Sequence, residues 1–291
     1  MSTSGISVFI LGTAQDGGYP HVGCTKDCCL SAWNNPSIRR MVSSIALIDE
    51  NNKKIWIVDV TPDIKSQLHV LKKYYSWIET KSIDGLFITH SHYGHYSGLL
   101  NFGLEVMNLK EIDVYTMPKM KNFLINNIST KRLIDDENII IQSLCHEATI
   151  VLNENLKIMP FIVPHRSENT ETVGFKIQSE SKSLIYIPDI DSWNIWDQNI
   201  LEIIYQNDFS FLDGTFFSDD ELEDRDMSKV PHPLISESMN LFSSLDEKDK
   251  RKVFFTHLNH TNKIMDPNSP ESDSIVRCGY NIAQDCMVID L

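Results

Sequence analysis

The chain has 291 residues, 42% of them hydrophobic and 23% charged, enough apolar material for a full core in one large domain or two small ones. Its formal net charge of −14 argues against a nucleic-acid binder, whose affinity rests on clustered Lys and Arg. No run approaches the ~20 apolar residues of a membrane span, so neither nucleic acid nor membrane is the expected partner. A small-molecule substrate is expected instead, and an anionic one would need local positive charge, most simply from a metal.

The opening MSTSGISVFILG has no basic n-region and too short an apolar run for a secretory signal, so a cytoplasmic location is expected. Strands are read at ISVFILG (6–12), SSIALID (43–49), KIWIVDV (54–60) and GLFITH (85–90). Between the last two, PDIKSQLHVLKKYYSW predicts a helix with Pro62 at its first position. The middle continues with strand IDVYTM (112–117), helix KMKNFLINN (119–127), and strands IIIQSL, ATIVL and KIMPFIV. Then come TVGFKIQ, SLIYIPD, a helix over 192–206, FSFLDG, a helix near HPLISESMNLFSSL, KVFFTH (252–257) and a closing CMVIDL. Most strands are apolar on nearly every residue, which suits two sheets held between helix layers. No fixed-period repeat or Gly/Ser/Pro-rich linker divides the chain, so one domain over 1–291 is expected; the acidic run SDDELEDRD (218–226) reads as an exposed, solvated loop.

The stretch THSHYGHYSG (89–98) holds three histidines within six positions. His90 closes an apolar strand, and His92 and His95 follow in the loop, where alternate side chains can face one centre. Neutral imidazole is a common ligand of zinc and similar metals; the alternative is a histidine-rich surface turn. His165 follows KIMPFIVP, Asp189 ends SLIYIP and His257 ends KVFFT. Each alone suits a satisfied structural residue. Together, metal-competent side chains at four strand ends form the pattern of a catalytic metal site with open positions. Of six cysteines, Cys24, Cys28 and Cys29 lie together, whereas Cys145, Cys278 and Cys286 are scattered. In a reducing compartment such a cluster reads as a metal site before it reads as disulfides, the alternative being three inert thiols.

HSHYGH resembles the HxHxDH motif of the metallo-β-lactamase superfamily, with His165, Asp189 and His257 in that superfamily's order. LGTAQDGGYP and the cysteine cluster narrow the resemblance to the branch holding pyrroloquinoline quinone biosynthesis protein B and the phosphodiesterase of the carbon–phosphorus lyase pathway. RRMVSSIAL, VTPDIKSQL, GHYSGLLNFG, VPHRSENTETVGFKI, LIYIPDID and THLNHTN extend it over almost the whole chain. The resemblance implies a four-layer αββα sandwich, of α/β (α+β) class. It implies a first metal on His90, His92 and His165, a second on His95 and His257, and Asp189 bridging. It also implies a structural zinc on Cys24, Cys28, Cys29 and His260, although adjacent Cys28 and Cys29 depart from the CxCxxC spacing of those relatives. Gly94 stands where the motif has aspartate. The expectation is a metal site with one ligand removed, mononuclear or weakly dinuclear, in which Gly94→Asp would raise second-metal affinity.

The expected activity is hydrolysis of a small ester, a phosphodiester foremost, with zinc or manganese ahead of iron and Asp189 as candidate base. Two alternatives stay open: an iron-dependent oxidation related to quinone-cofactor biosynthesis, and a catalytically weak metal-containing binding protein. His232 in VPHPL is a second catalytic candidate, reaching the site from a loop. Arg166 is read as a clamp for an anionic substrate or as an ion-pair partner of Glu168. Asp16 in AQDGG is read as substrate-binding or as an Asx turn, and the two glycines after it make no nucleotide P-loop because GK[ST] is missing. His21, His69 and His146 take structural readings, Trp193 and Trp196 packing ones. Oligomeric state is open, a homodimer included.

Overall fold

Fourteen apolar strands pair into two seven-stranded sheets in a computed structural model that describes residues 5–79, 82–166, 170–222 and 226–291. In chain order they are β1 (Ile6–Gly12), β2 (Ser44–Asp49), β3 (Lys54–Val58), β4 (Gly85–Phe87), β5 (Ile112–Thr116) and β6 (Ile139–Ser143). The second set is β7 (Ile150–Asn153), β8 (Leu156–Ile162), β9 (Val173–Gln178), β10 (Ser183–Ile187), β11 (Phe209–Asp213), β12 (Val253–Thr256) and β13 (Asn281–Ile282); β14 (Val288–Asp290) returns to the first sheet. The strand orders are β14-β1-β2-β3-β4-β5-β6 and β13-β12-β11-β10-β9-β8-β7. Pairing from β14 to β3 and from β7 to β10 is antiparallel; from β3 to β6 and from β10 to β13 it is parallel.

The helices of the described residues are α1 (Asp27–Asn34), α2 (Ile64–Tyr74), α3 (Tyr93–Tyr96), α4 (Pro118–Asn126), α5 (Ile128–Asp135), α6 (Ile200–Gln206), α7 (Ile235–Leu241), α8 (Glu247–Lys250) and α9 (Pro270–Arg277). Three apolar layers separate the four structural ones. Ile45, Val58 and Phe87 of the first sheet meet Ile158, Phe175 and Phe211 of the second in the middle. Ile64 and Leu71 of α2 with Leu124 of α4 cover the outer face of the first sheet; Ile200 and Ile204 of α6 with Ile235 of α7 cover that of the second. Each such side chain contributes about 1.5–3 kcal/mol when fully buried. The arrangement is the four-layer αββα sandwich, and the two-sided burial explains why its strands read as continuous apolar runs.

Element ends differ from the sequence expectation where a side chain competes for a backbone group. Pro62 precedes α2 rather than starting it: Thr61 Oγ1 accepts the Asp63 N–H at 3.0 Å, and the first helical bond runs from Gln67 N–H to Asp63 O at 3.0 Å. The single helix over 192–206 is a turn at Trp193–Ile195 followed by α6, because Ser192 Oγ and Asn199 Oδ1 accept the N–H groups of Asn194 and Leu201. The sequence patterns gave no sign of α1, α3, α5, α8, α9 and β13. Among the described residues no helix is long and apolar enough to cross a membrane.

Candidate metal centre

The parallel strands β3, β4, β10, β11 and β12 deliver their carboxyl ends to one edge, the usual place for a site on such sheets. Asp59 follows β3, His90 and the α3 loop follow β4, Asp189 follows β10, Asp213 ends β11 and His257 follows β12. Asp59 (φ 66°) and His257 (φ 60°) adopt left-handed backbone that turns their side chains into the site. For non-glycine residues that costs on the order of 1–3 kcal/mol each, a strain typical of functional positions.

Two donor sets meet at Asp189. Donor atoms of His90, His92, His165 and Asp189 lie within 4.8 Å of one another, as do those of Asp16, His95 and His257. Asp189 Oδ1 lies 3.6 Å from His165 Nε2, and its Oδ2 lies 3.2 Å from both His95 Nε2 and His257 Nε2. One carboxylate therefore faces both sets. The buried Nε2 atoms of His90, His95 and His257 and Oδ2 of Asp189 make no hydrogen bond despite these short separations. Buried polar atoms left that way are costly, and a cation in each of the two sets would satisfy all four. His92 Nδ1 and His165 Nε2 stand 3.2 Å apart, close to the ~3.3 Å that a tetrahedral metal imposes on two nitrogens at its usual bond length.

The other ring nitrogens are held from behind. His95 Nδ1 pairs with Asp59 Oδ2 at 2.7 Å, His90 Nδ1 with Thr89 Oγ1 at 2.9 Å and His257 Nδ1 with Thr215 Oγ1 at 3.0 Å, while His165 Nδ1 lies 2.9 Å from the Asp191 carboxylate without an aligned hydrogen bond. Such partners fix ring orientation and raise ligand basicity. Asp59, Thr89, Asp191, Asp213 and Thr215 were not singled out from sequence, though Asp59, Asp191 and Asp213 lie at strand ends like the donors themselves.

Electrostatics suits a cation. Burial holds His90 well below the ordinary imidazole range, brings His92 to about 4 and lowers His257, leaving their lone pairs free at neutral pH. His95 goes the other way: burial pulls it down, but Asp59 and Asp189, with Asp16, outweigh that and hold it well above the usual value. Burial alone would raise Asp189, yet the imidazoles of His257 and His95 hold it well below the carboxylate range.

At the other end of the N-terminal loop, Cys24, Cys28, Cys29 and His260 converge, all donor atoms within 4.8 Å of one another. Cys24 Sγ and Cys28 Sγ are 3.7 Å apart, and His260 Nδ1 lies 3.5 Å from Cys28 Sγ and 3.4 Å from Cys29 Sγ. A tetrahedral zinc with ordinary bond lengths requires about 3.8 Å between sulfurs and about 3.5 Å from sulfur to nitrogen. Adjacent Cys28 and Cys29 both reach the site because they occupy the first turn of α1, so the departure in spacing does not separate them. Burial, with neighbouring thiols, pushes Cys29 up to about 12; three thiolates there need a cation to balance them.

The remaining candidates sort plainly. His232 Nδ1 donates to Asp213 Oδ2 at 2.7 Å, and its ring centroid is 5.5 Å from that of His165. Asp213 lies near Asp189 but is saturated, accepting also from Ile190 N, Thr215 N and Thr215 Oγ1, so it positions His232. Arg166 is exposed and its charge reaches His232, while the suggested partner Glu168 falls outside the described residues. Asp16 sits against His95 and Gly94. His69 is exposed, His146 Nδ1 accepts Ile162 N–H, and the His21 ring lies 4.3 Å from that of His260 beside the cysteines. Trp193 and Trp196 are buried.

The acidic run is not wholly solvated. Glu221 is buried, its Oε1 accepting the N–H groups of Phe217 and Ser218, on the wall of a groove shared with Cys24, Phe216 and Lys263. Burial pushes its carboxyl from 4.5 up to about 7. The stability carried by the protonated form is complete below pH ~4.5 and is lost as pH rises through ~7. Glu221→Gln keeps the acceptor oxygen without the charge and is expected to stabilise the fold by up to about 3 kcal/mol at pH 8, with a much smaller gain at pH 5. Thermal denaturation at both pH values checks this; equal gains would contradict it.

Two mixed sheets between helix layers, with histidines and an aspartate converging at the carboxyl ends of the parallel strands, define a sandwich of the metallo-β-lactamase type. The chain belongs to the beta-lactamase superfamily, whose domain matches residues 56–258. It is 24% identical to coenzyme PQQ synthesis protein B of Methylorubrum extorquens strain PA1 over 98% of this chain and 99% of that protein. Its fold matches the zinc-bound PqqB of Methylobacterium extorquens with a TM-score of 0.83 at 23% identity, over 98% of this chain and 100% of that one. A diphosphatase of the PhnP family follows, with a TM-score of 0.68 at 22% identity over 98% and 96%.

Proposed function

We propose that the protein is a metal-dependent hydrolase of a small anionic ester, a phosphodiester foremost. The carrying observation is that the two oxygens of Asp189 face two separate donor sets, the arrangement suited to a pair of metals clamping a displacement. His90, His92 and His165 would hold one ion, His95 and His257 the other, with zinc or manganese suiting the imidazole and carboxylate donors. Bound there, such metals lower the pKa of water to about 7 and stabilise charge on the ester oxygens. Cys24, Cys28, Cys29 and His260 would hold a separate structural zinc, a closed Cys₃His set.

The chain's own groups supply the rest. Asp189 would be shared between the two ions rather than act as base, since the imidazoles around it hold its carboxyl well below the usual carboxylate range. Burial lowers His232, but Asp213 outweighs this and raises it, which biases the ring toward its protonated form. With Nδ1 committed to Asp213, its Nε2–H is left to protonate a leaving oxygen. Arg166 beside it adds charge complementary to an anionic substrate. His232→Ala is expected to lower kcat for a phosphodiester with an unactivated alkyl leaving group by about 10²–10⁴-fold with metal content unchanged, and to affect bis(p-nitrophenyl) phosphate far less because its leaving group departs without a proton; unaltered turnover of the alkyl ester would remove His232 from this role. The superfamily and the PhnP-family structural neighbour favour the hydrolytic reading. The iron-dependent oxidation draws on the name of the PQQ-synthesis relatives alone.

A further inference from the structure

The aspartate that HxHxDH places before its last histidine is Gly94 here, which suggested a lost ligand. The space it would fill is taken. A Cβ built on Gly94 would stand 2.2 Å from Asp16 Oδ1 and 2.8 Å from Asp16 Cα, so a side chain at 94 and the present position of Asp16 exclude one another. Asp16 Oδ1 accepts the Gly94 N–H at 3.2 Å and lies 3.5 Å from His95 Nε2. It joins the donor set of His95 and His257, whose buried Nε2 atoms make no hydrogen bond. Its loop is fastened on both sides: Gln15 N–H donates to Leu258 O at 2.9 Å, next to His257, and Gly18 N–H closes a turn on Gln15 O at 2.8 Å. Asp16 lies outside the residues matched by the superfamily domain.

We propose that Asp16 supplies the missing carboxylate ligand of the second metal, delivered from the N-terminal loop, with Gly94 kept side-chain-free to admit it. The site is then not depleted: one donor has moved to a residue 78 positions away in the chain. This rests on the paired-metal reading of the centre. It corrects the expectation that Gly94→Asp raises second-metal affinity, since any side chain at 94 displaces Asp16.

The test is calorimetric titration of metal-free protein with zinc. Wild type is expected to take one cysteine-dependent equivalent and two at the active site. Asp16→Asn keeps an oxygen acceptor for the Gly94 N–H but loses the charge, and is expected to weaken only the last equivalent, by at least about tenfold, because loss of an outer partner alone already costs 10–100-fold. Gly94→Ala removes no donor and is expected to weaken the same equivalent. A cap-only role for Asp16 would leave that equivalent intact in Asp16→Asn. That result, or stronger binding in Gly94→Asp, would overturn the proposal while leaving the paired-metal reading standing. A wild type that takes only one active-site ion would overturn both. Asp16→Ser serves as the second variant if Asp16→Asn folds poorly.

Discussion

His92→Ala is expected to abolish phosphodiester turnover, with a fall in kcat exceeding about 10³-fold. Removing one hydrogen-bond donor from a developing oxyanion typically costs about 10²–10³-fold; removing a nitrogen from a three-imidazole set costs an ion that both activates water and neutralises charge. His92 is only partly buried at the rim, unlike fully buried His90, so its loss should leave the fold intact. Elemental analysis of the variant should show the cysteine-dependent zinc retained and active-site metal reduced. Turnover within tenfold of wild type would mean that the first donor set does not carry the chemistry.

Cys28→Ala is expected to have the largest effect on stability. Structural zinc contributes about 10–16 kcal/mol to small zinc-dependent folds. Here three apolar cores hold most of the chain without it, so the loss should be nearer a third of that, about 3–5 kcal/mol, or on the order of 10 °C in Tm. The damage should concentrate in the loop and α1 between Gly17 and Asn34, which the site pins to His260. Limited proteolysis and thermal denaturation check this; a variant as stable and protease-resistant as wild type would show that the cysteines bind nothing structural.

The strands and the donors at their ends were legible because both depend on local pattern: an apolar run with a polar residue at its close. The residues behind the donors were not. Asp59 supports His95, and Asp213 positions His232 beside His165, relations set by which strands and loops adjoin. A lone aspartate closing a strand ordinarily reads as a backbone acceptor. Asp16 illustrates the limit most clearly. AQDGG reads as a substrate contact or an Asx turn and HSHYGH as a motif one ligand short; neither stretch reveals that the two pack together. Glu221 was hidden in the same way, buried within an acidic run whose composition suggested only solvated charge.

The most direct measurement is stepwise reloading of chelator-treated protein with zinc or manganese while following bis(p-nitrophenyl) phosphate hydrolysis. The account predicts no turnover while only the cysteine-dependent site fills, then activity that rises as the active-site ions load. Full occupancy of both donor sets with no hydrolysis of any phosphodiester offered, or hydrolysis that persists under chelator, would contradict it.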